Sequence, residues 1–350
     1  MYKQLSLKDT NVLKGIALLL LLIHHLFYID NGLYDDIAFS GRGIVQTIGQ
    51  WSKICVAIFV FLSGYGLTVQ AEKAGGVGNL FRFYWRRFAK LMINYWFIWL
   101  IFVPIGVFVF HYTFDEAYGN HTGIKFLLDV TGLINAFGLL GYNVTWWFYS
   151  CIILLYILFP FLYRLLKKDT MFSVLVVAVA TYLPIPIFAS ARPYLLAFLT
   201  GMIYCRISDN YACVGGGKTS NLIILVILLL IAALDRLVAP DKIRFDAVIV
   251  ILMVIAYKSI RFPNVIAKAL AFLGKHSMNI FLFHTFIFYM WFQDIIYITR
   301  NPLIIFLELL TSCLLISVFL ESIKKMIRFD TLIVKIQNIN IEKKIKTNVI

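Results

Sequence analysis

The stretch VLKGIALLLLLIHHLFY, Val12 to Tyr28, places a lysine and two adjacent histidines in an otherwise apolar run long enough to cross a membrane. Lys14 and His25 are eleven residues apart, about three helical turns, so they project from nearly the same face, separated by roughly 16 Å along the axis. His24 points about 100° away. With Lys14 at one edge of a hydrocarbon core about 30 Å thick, His25 falls near its middle. An ionisable group at that depth is costly unless paired or hydrated, which makes Lys14 and His25 the first candidates for catalysis. A neutral imidazole there can act as a general base or a nucleophile. It can equally bridge two helices by hydrogen bonding, and the spacing leaves both roles open.

A second group, FRFYWRRFAKL from Phe81 to Leu91, carries Arg86, Arg87 and Lys90 at i, i+3 and i, i+4 spacings on one helical turn. Such cations can clamp phosphates, with arginine supplying a two-pronged donor. They can also be plain topology anchors beside the interfacial aromatics Tyr84 and Trp85. His284 is a second intramembrane histidine, and Trp146 and Trp147 stand at an outer membrane edge, where an aromatic belt is expected and ring stacking on a ligand is the alternative. Ser63 and Gly64 lack a Gly-x-Ser-x-Gly elbow and read as small residues that let helices approach. VGGGKTS, Val214 to Ser220, lacks the first glycine of a phosphate loop, since that position is Ala212. His111, Asp115, Glu116 and His121 read as a solvated loop.

Those side chains need helices to hold them, and the composition supplies little else. The chain is 61% hydrophobic and only 14% charged, which excludes an ordinary soluble domain. The net charge of +14 lies in short clusters between apolar runs, where it orients spans, so no nucleic-acid partner is expected. The five cysteines form no CxxC, and no metal site is expected. The pattern predicts an all-α, polytopic transmembrane bundle of about ten spans, near residues 12–29, 54–70, 88–111, 145–163, 171–189, 193–207, 221–238, 245–259, 278–298 and 303–322. Segments 124–140 and 262–274 read as interfacial or surface helices. With both termini in the cytosol, most Lys and Arg fall in cytosolic segments. The expected organisation is a membrane domain over 1–323 and a basic tail over 324–350 lying on the inner leaflet, its lipids the partner. Nothing in the sequence indicates an oligomeric state.

Five stretches in order resemble the membrane acyltransferase-3 family. LKGIALLLLLIHH resembles its first helix, a basic residue followed eleven positions later by His. CVAIFVFLSGYGL, Cys55 to Leu67, is similar to its Ser-Gly-Tyr helix. The Arg86, Arg87 and Lys90 group stands where the family carries arginines. WWFYSCIILLYILFP, Trp146 to Pro160, is similar to its Trp-x-Phe to Tyr-x-x-x-Pro helix, and LGKHSMNIFLFH, Leu273 to His284, to its late histidine element. Lys14 stands where many members have Arg, and the helix around Ile152 has no acidic residue where many relatives carry one. The resemblance implies an O-acyltransferase of the bacterial inner membrane, without a permanently bound cofactor. Acetyl-CoA would be its donor and a surface polysaccharide or lipid-linked sugar its acceptor. Arg86, Arg87 and Lys90 would hold the donor, Lys14 and His25 would serve catalysis, and His284, Trp146 and Trp147 would face substrate. The rival class is a transporter or flippase, which would also carry many spans and buried histidines.

Overall fold

Ser6 starts the first helix, α1 (Leu7–Phe27), with a capping box: its hydroxyl accepts the Asp9 N–H at 3.1 Å, and Asp9 Oδ2 accepts the Ser6 N–H at 2.8 Å. The structure, a computed structural model, describes residues 4–39, 42–210, 245–259 and 263–347. After α1, a two-residue antiparallel pairing of Ala38–Phe39 with Arg42–Gly43 leads into α2 (Ile44–Trp51) and α3 (Ile54–Lys73). Then follow α4 (Leu80–Phe108), the short α5 (Phe114–Tyr118) and α6 (Thr122–Val130), α7 (Trp147–Lys168), α8 (Thr170–Tyr182) and α9 (Leu195–Asn210). The remaining described helices are α10 (Asp246–Ser259), α11 (Asn264–Thr285), α12 (Gln293–Ile296), α13 (Pro302–Met326) and α14 (Phe329–Thr347), with a π-helical turn over Phe286–Trp291.

Among the described residues, six stretches are long and apolar enough to cross a membrane: Leu7–Phe27, Ile44–Lys73, Leu80–Phe108, Val144–Lys168, Asn264–Trp291 and Pro302–Met326. The expected spans near 171–189, 193–207 and 245–259 form helices of only 13, 16 and 14 residues, and 221–238 lies outside the described residues. Two boundaries move for local reasons. The expected surface helix 262–274 is the first half of α11, because no breaker separates it from His284 and Gly274 continues the helix into a close crossing. The cluster Arg82 to Lys90 lies inside α4, which starts at Leu80 with Asn79 Oδ1 accepting the Arg82 N–H at 3.0 Å.

Two crossings set the bundle. A methyl group on Gly15 would fall 2.0 Å from the Leu270 carbonyl oxygen, and one on Gly274 would fall 1.8 Å from that of Asn11. The backbones of α1 and α11 therefore touch, as small residues allow in membrane bundles. Gly64 on α3 and Gly201 on α9 repeat the arrangement, against the carbonyls of Phe198 and Phe61 at 2.2 and 2.1 Å. The small-residue reading of Gly64 thus corresponds to a real contact.

Segment 124–140 is not one helix but α6 followed by a tight turn over Ile134–Phe137. Asp129 fastens it. The fully buried carboxylate accepts hydrogen bonds from Tyr118 Oη at 2.7 Å, Tyr142 N at 2.8 Å and Tyr95 Oη at 3.2 Å. Burial raises its pKa above the ordinary carboxylate value, and these three donors pull against that rise. The tail also packs inward: Phe329 and Ile333 of α14 bury against Ala89 and Ile93 of α4.

Candidate active site

The close crossing of α1 and α11 brings together two histidines far apart in sequence. The rings of His25 and His284 lie with centroids 5.0 Å apart, tilted by 51°. His284 is completely buried, and its Nδ1–H donates to the carbonyls of Ile280 and Phe281 at 3.0 and 2.9 Å. Both partners are pure acceptors, so the proton sits on Nδ1 and Nε2 carries a lone pair, which has no partner in the structure. Phe288 covers the pair, 6.4 Å from His25 and 5.9 Å from His284. Among the described residues, no carboxylate contacts either ring. His24, its ring centre 5.2 Å from that of His25, is committed to α2 instead, its Nδ1–H donating to the Gly49 carbonyl at 2.9 Å.

Toward the opposite end of these helices, a cavity of about 440 Å³ opens between α1, α3, α4, α7 and α11. Lys14, Arg87, Lys90 and Lys275 line it, and no Asp or Glu does. Arg87 donates to Gln70 Oε1 on the wall and lies 5.7 Å over the Phe83 ring. Asn94, also on the wall, is held by the buried Lys324, whose ammonium donates to Asn94 Oδ1 at 3.2 Å, Asn279 Oδ1 at 2.7 Å and Glu321 Oε1 at 3.1 Å. Asp9 fixes the start of α1 beside the cavity by an ion pair to Lys258 at 3.0 Å and a hydrogen bond from Tyr257 at 2.8 Å. Cations gathered without a counterion repel one another, and such a wall favours a polyanionic ligand.

A family model for an acyltransferase domain matches residues 7–322, a range containing both histidines and all four cations. The chain belongs to the acyltransferase-3 family. No curated protein and no solved structure matches it. This acyltransferase is a multi-pass membrane protein by its family and its apolar helices.

In this acyltransferase-3 protein the residues singled out by sequence separate. Lys14, Arg87 and Lys90 share the cavity, and His25 meets His284. Arg86 is not in the cavity wall: its guanidinium donates to Asn338 Oδ1 of α14 at 3.2 Å, while Gln337 Nε2 donates to the Arg86 carbonyl at 2.9 Å. One residue along a helix turns a side chain by about 100°, which carries Arg86 from the inner face occupied by Arg87 to the tail. Trp146 is no open platform for a sugar, being 2% exposed with its Nε1–H donating to the Leu282 carbonyl at 2.9 Å. Trp147 is half-buried and stacks 6.0 Å from Tyr194. Lys275 is the cation that sequence reasoning passed over. Its place in LGKHSMNIFLFH, the stretch that carries the late histidine, was the available signal.

Proposed function

We propose that this protein is an O-acyltransferase of a bacterial cytoplasmic membrane that takes acetyl from acetyl-CoA on the cytosolic side. The acceptor is a hydroxyl of a cell-surface polysaccharide or its lipid-linked precursor. The observation that carries this reading is the cavity walled by four cations and no carboxylate, set along the same two helices as the pair of half-buried His25 and buried His284. Ligand sites of about 300–1,000 Å³ are usual, and the charge suits the phosphates of a nucleotide thioester. Arg87 offers a two-pronged donor, with Lys14, Lys90 and Lys275 as point charges. Lys14 lies roughly 16 Å down the helix from His25, too far to touch the same bond, so its part is donor binding rather than proton transfer.

The reaction follows from His25. Its imidazole removes the proton of the acceptor hydroxyl as that oxygen attacks the thioester carbonyl. The tetrahedral intermediate collapses with cleavage of the carbon–sulfur bond, the ester forms, and the imidazolium returns its proton to the departing thiolate. His284, with its lone pair on Nε2, is the polar neighbour that can orient His25 or the attacking hydroxyl. Mass analysis of surface glycans tests the reading in cells with the intact gene, without it, and with His25→Ala. Acetyl increments are expected with the intact gene alone, and identical glycans in all three strains would overturn the reading.

A further inference from the structure

Exposure along the histidine face of α1 changes at His25. Leu21 and Leu22, one turn before it, and Leu18, two turns before it, are fully buried. His25 itself is half-buried. Tyr28 and Ile29, one turn further on, are 42% and 51% exposed. Of the residues of α1, only Asn11 and Lys14 line the cation cavity. His25 therefore opens toward the C-terminal end of α1, away from the cavity. A ligand hydroxyl there would meet a need of the site, because Nε2 of the neighbouring His284 is a buried acceptor without a donor.

The segment that leaves this end of α1 has the opposite charge character from the cavity. Residues 28–37 hold Asp30, Asp35 and Asp36 and neither Lys nor Arg. Arg300, just before α13, donates to Asp35 Oδ1 at 2.9 Å and to the Gly32 carbonyl at 3.0 Å, so its charge is already engaged. The Tyr34 hydroxyl donates to the Phe27 carbonyl at 3.2 Å, and Gln50 Nε2 reaches the Tyr28 carbonyl at 3.5 Å. The segment is thus pinned to the helix end, with the Tyr28 ring at its rim, 5.1 Å from that of His24. An acidic rim disfavours a polyphosphate. It suits a neutral polyol, to which Tyr28 offers a ring face and a phenol while Asp30 and Gln50 offer hydrogen-bonding groups.

We propose that this end of α1 is the acceptor subsite and that Tyr28 is the platform on which a neutral sugar ring lies while one of its hydroxyls reaches His25. This rests on the reading of the acceptor as a glycan, and it makes Tyr28 a binding residue for the acceptor alone. Tyr289 supplies the contrast. It is 57% exposed on the π-helical turn, and its ring lies 6.3 Å from that of Phe288. An aromatic belt at the membrane edge would use Tyr28 and Tyr289 alike, whereas the subsite needs Tyr28.

The test uses purified protein with acetyl-CoA and the unacetylated surface glycan of a strain lacking the gene. Tyr28→Ala should raise the KM for glycan by at least about tenfold, the effect of truncating an anchoring aromatic, and leave the KM for acetyl-CoA within about twofold. Tyr28→Trp should restore most of the loss, and Tyr289→Ala should leave both constants within about twofold. A second readout needs no turnover: Ile29→Cys is labelled with a maleimide, while the native Cys55, Cys151, Cys205 and Cys313 are buried. Glycan should slow the labelling and CoA should not, and adding Tyr28→Ala should abolish the effect of glycan. With transfer intact, an unchanged glycan KM in Tyr28→Ala, equal effects of Tyr28→Ala and Tyr289→Ala, or labelling that glycan does not slow overturns the subsite. A wild type that moves no acetyl to glycan overturns the acceptor reading itself, and the two outcomes are distinct.

Discussion

His284 presents an unpartnered ring nitrogen in the immediate neighbourhood of His25, whose ring centre is 5.0 Å away. Two imidazoles joined by a hydrogen bond of ordinary length have ring centres about 5 Å apart, so a modest turn of His25 would let Nε2 of His284 accept from it. Replacing His25 by Ala should lower transfer by about 10²- to 10⁴-fold, the usual weight of a general base. The span should remain in the membrane. His24→Ala should keep most activity while losing the bond to the Gly49 carbonyl, about 1 kcal/mol of stability, together with the ring contacts to His25 and Tyr28. Equal losses of activity in the two variants would contradict the division of labour on this helix.

Arg87 and Arg86 provide a paired comparison on one turn. Arg87→Ala should raise the acetyl-CoA KM by about 10- to 150-fold, since a charge-assisted contact contributes about 1.5–3 kcal/mol. Lys275→Ala should act in the same direction. Arg86→Ala should leave donor binding within about twofold and instead loosen α14, seen as faster proteolysis of the tail. Equal KM effects from Arg86 and Arg87 would argue against the cavity as the donor site.

Gly274→Ala places a carbon 1.8 Å from a backbone oxygen of α1, and backbone cannot swing aside as a side chain can. Overpacking of this kind costs about 1–3 kcal/mol, so the midpoint of thermal unfolding in detergent should fall. Transfer should fall with it, because the crossing that Gly274 allows is what brings His25 to His284. An unchanged midpoint would show that the two helices can part without loss.

Asp129→Asn keeps the shape of the side chain but removes the charge that three donors share. The amide oxygen can take the place of Oδ2, which accepts from Tyr118 and Tyr142, and Tyr95 Oη keeps its donation to the backbone carbonyl of Asp129 at 2.9 Å, so the loss is the charge assistance of these bonds, about 1 kcal/mol. A lower unfolding midpoint with an unaltered acetyl-CoA KM is expected, since Asp129 is not part of the cavity wall.

Much of the site was legible along a single helix. Lys14 and His25 could be placed on one face because helical periodicity is a local property, and the apolar runs declared the membrane class by composition. What could not be read was decided between helices. Whether Arg86 or Arg87 faces inward depends on where α14 docks, and Lys275 becomes a cavity residue because α11 is continuous through Gly274. Trp146 looked like an exposed edge residue, yet its indole N–H finds a carbonyl on α11 and buries the ring. His284 stood out in its own segment as a second intramembrane histidine, but its pairing with His25 did not, since only the crossing of α1 with α11 brings the two rings together.

The central claim is that the donor is held at the face bearing Lys14, Arg87, Lys90 and Lys275 and that its acyl group is transferred at His25. It is tested most directly in sealed vesicles of known orientation that hold the glycan acceptor, by supplying acetyl-CoA labelled in the acetyl group to one face at a time. Label should appear on glycan when the donor is given to the cytosolic face, and none should appear from the other face or with His25→Ala. Labelling from the outer face alone, or glycan movement with no transfer of label from either face, would contradict the account.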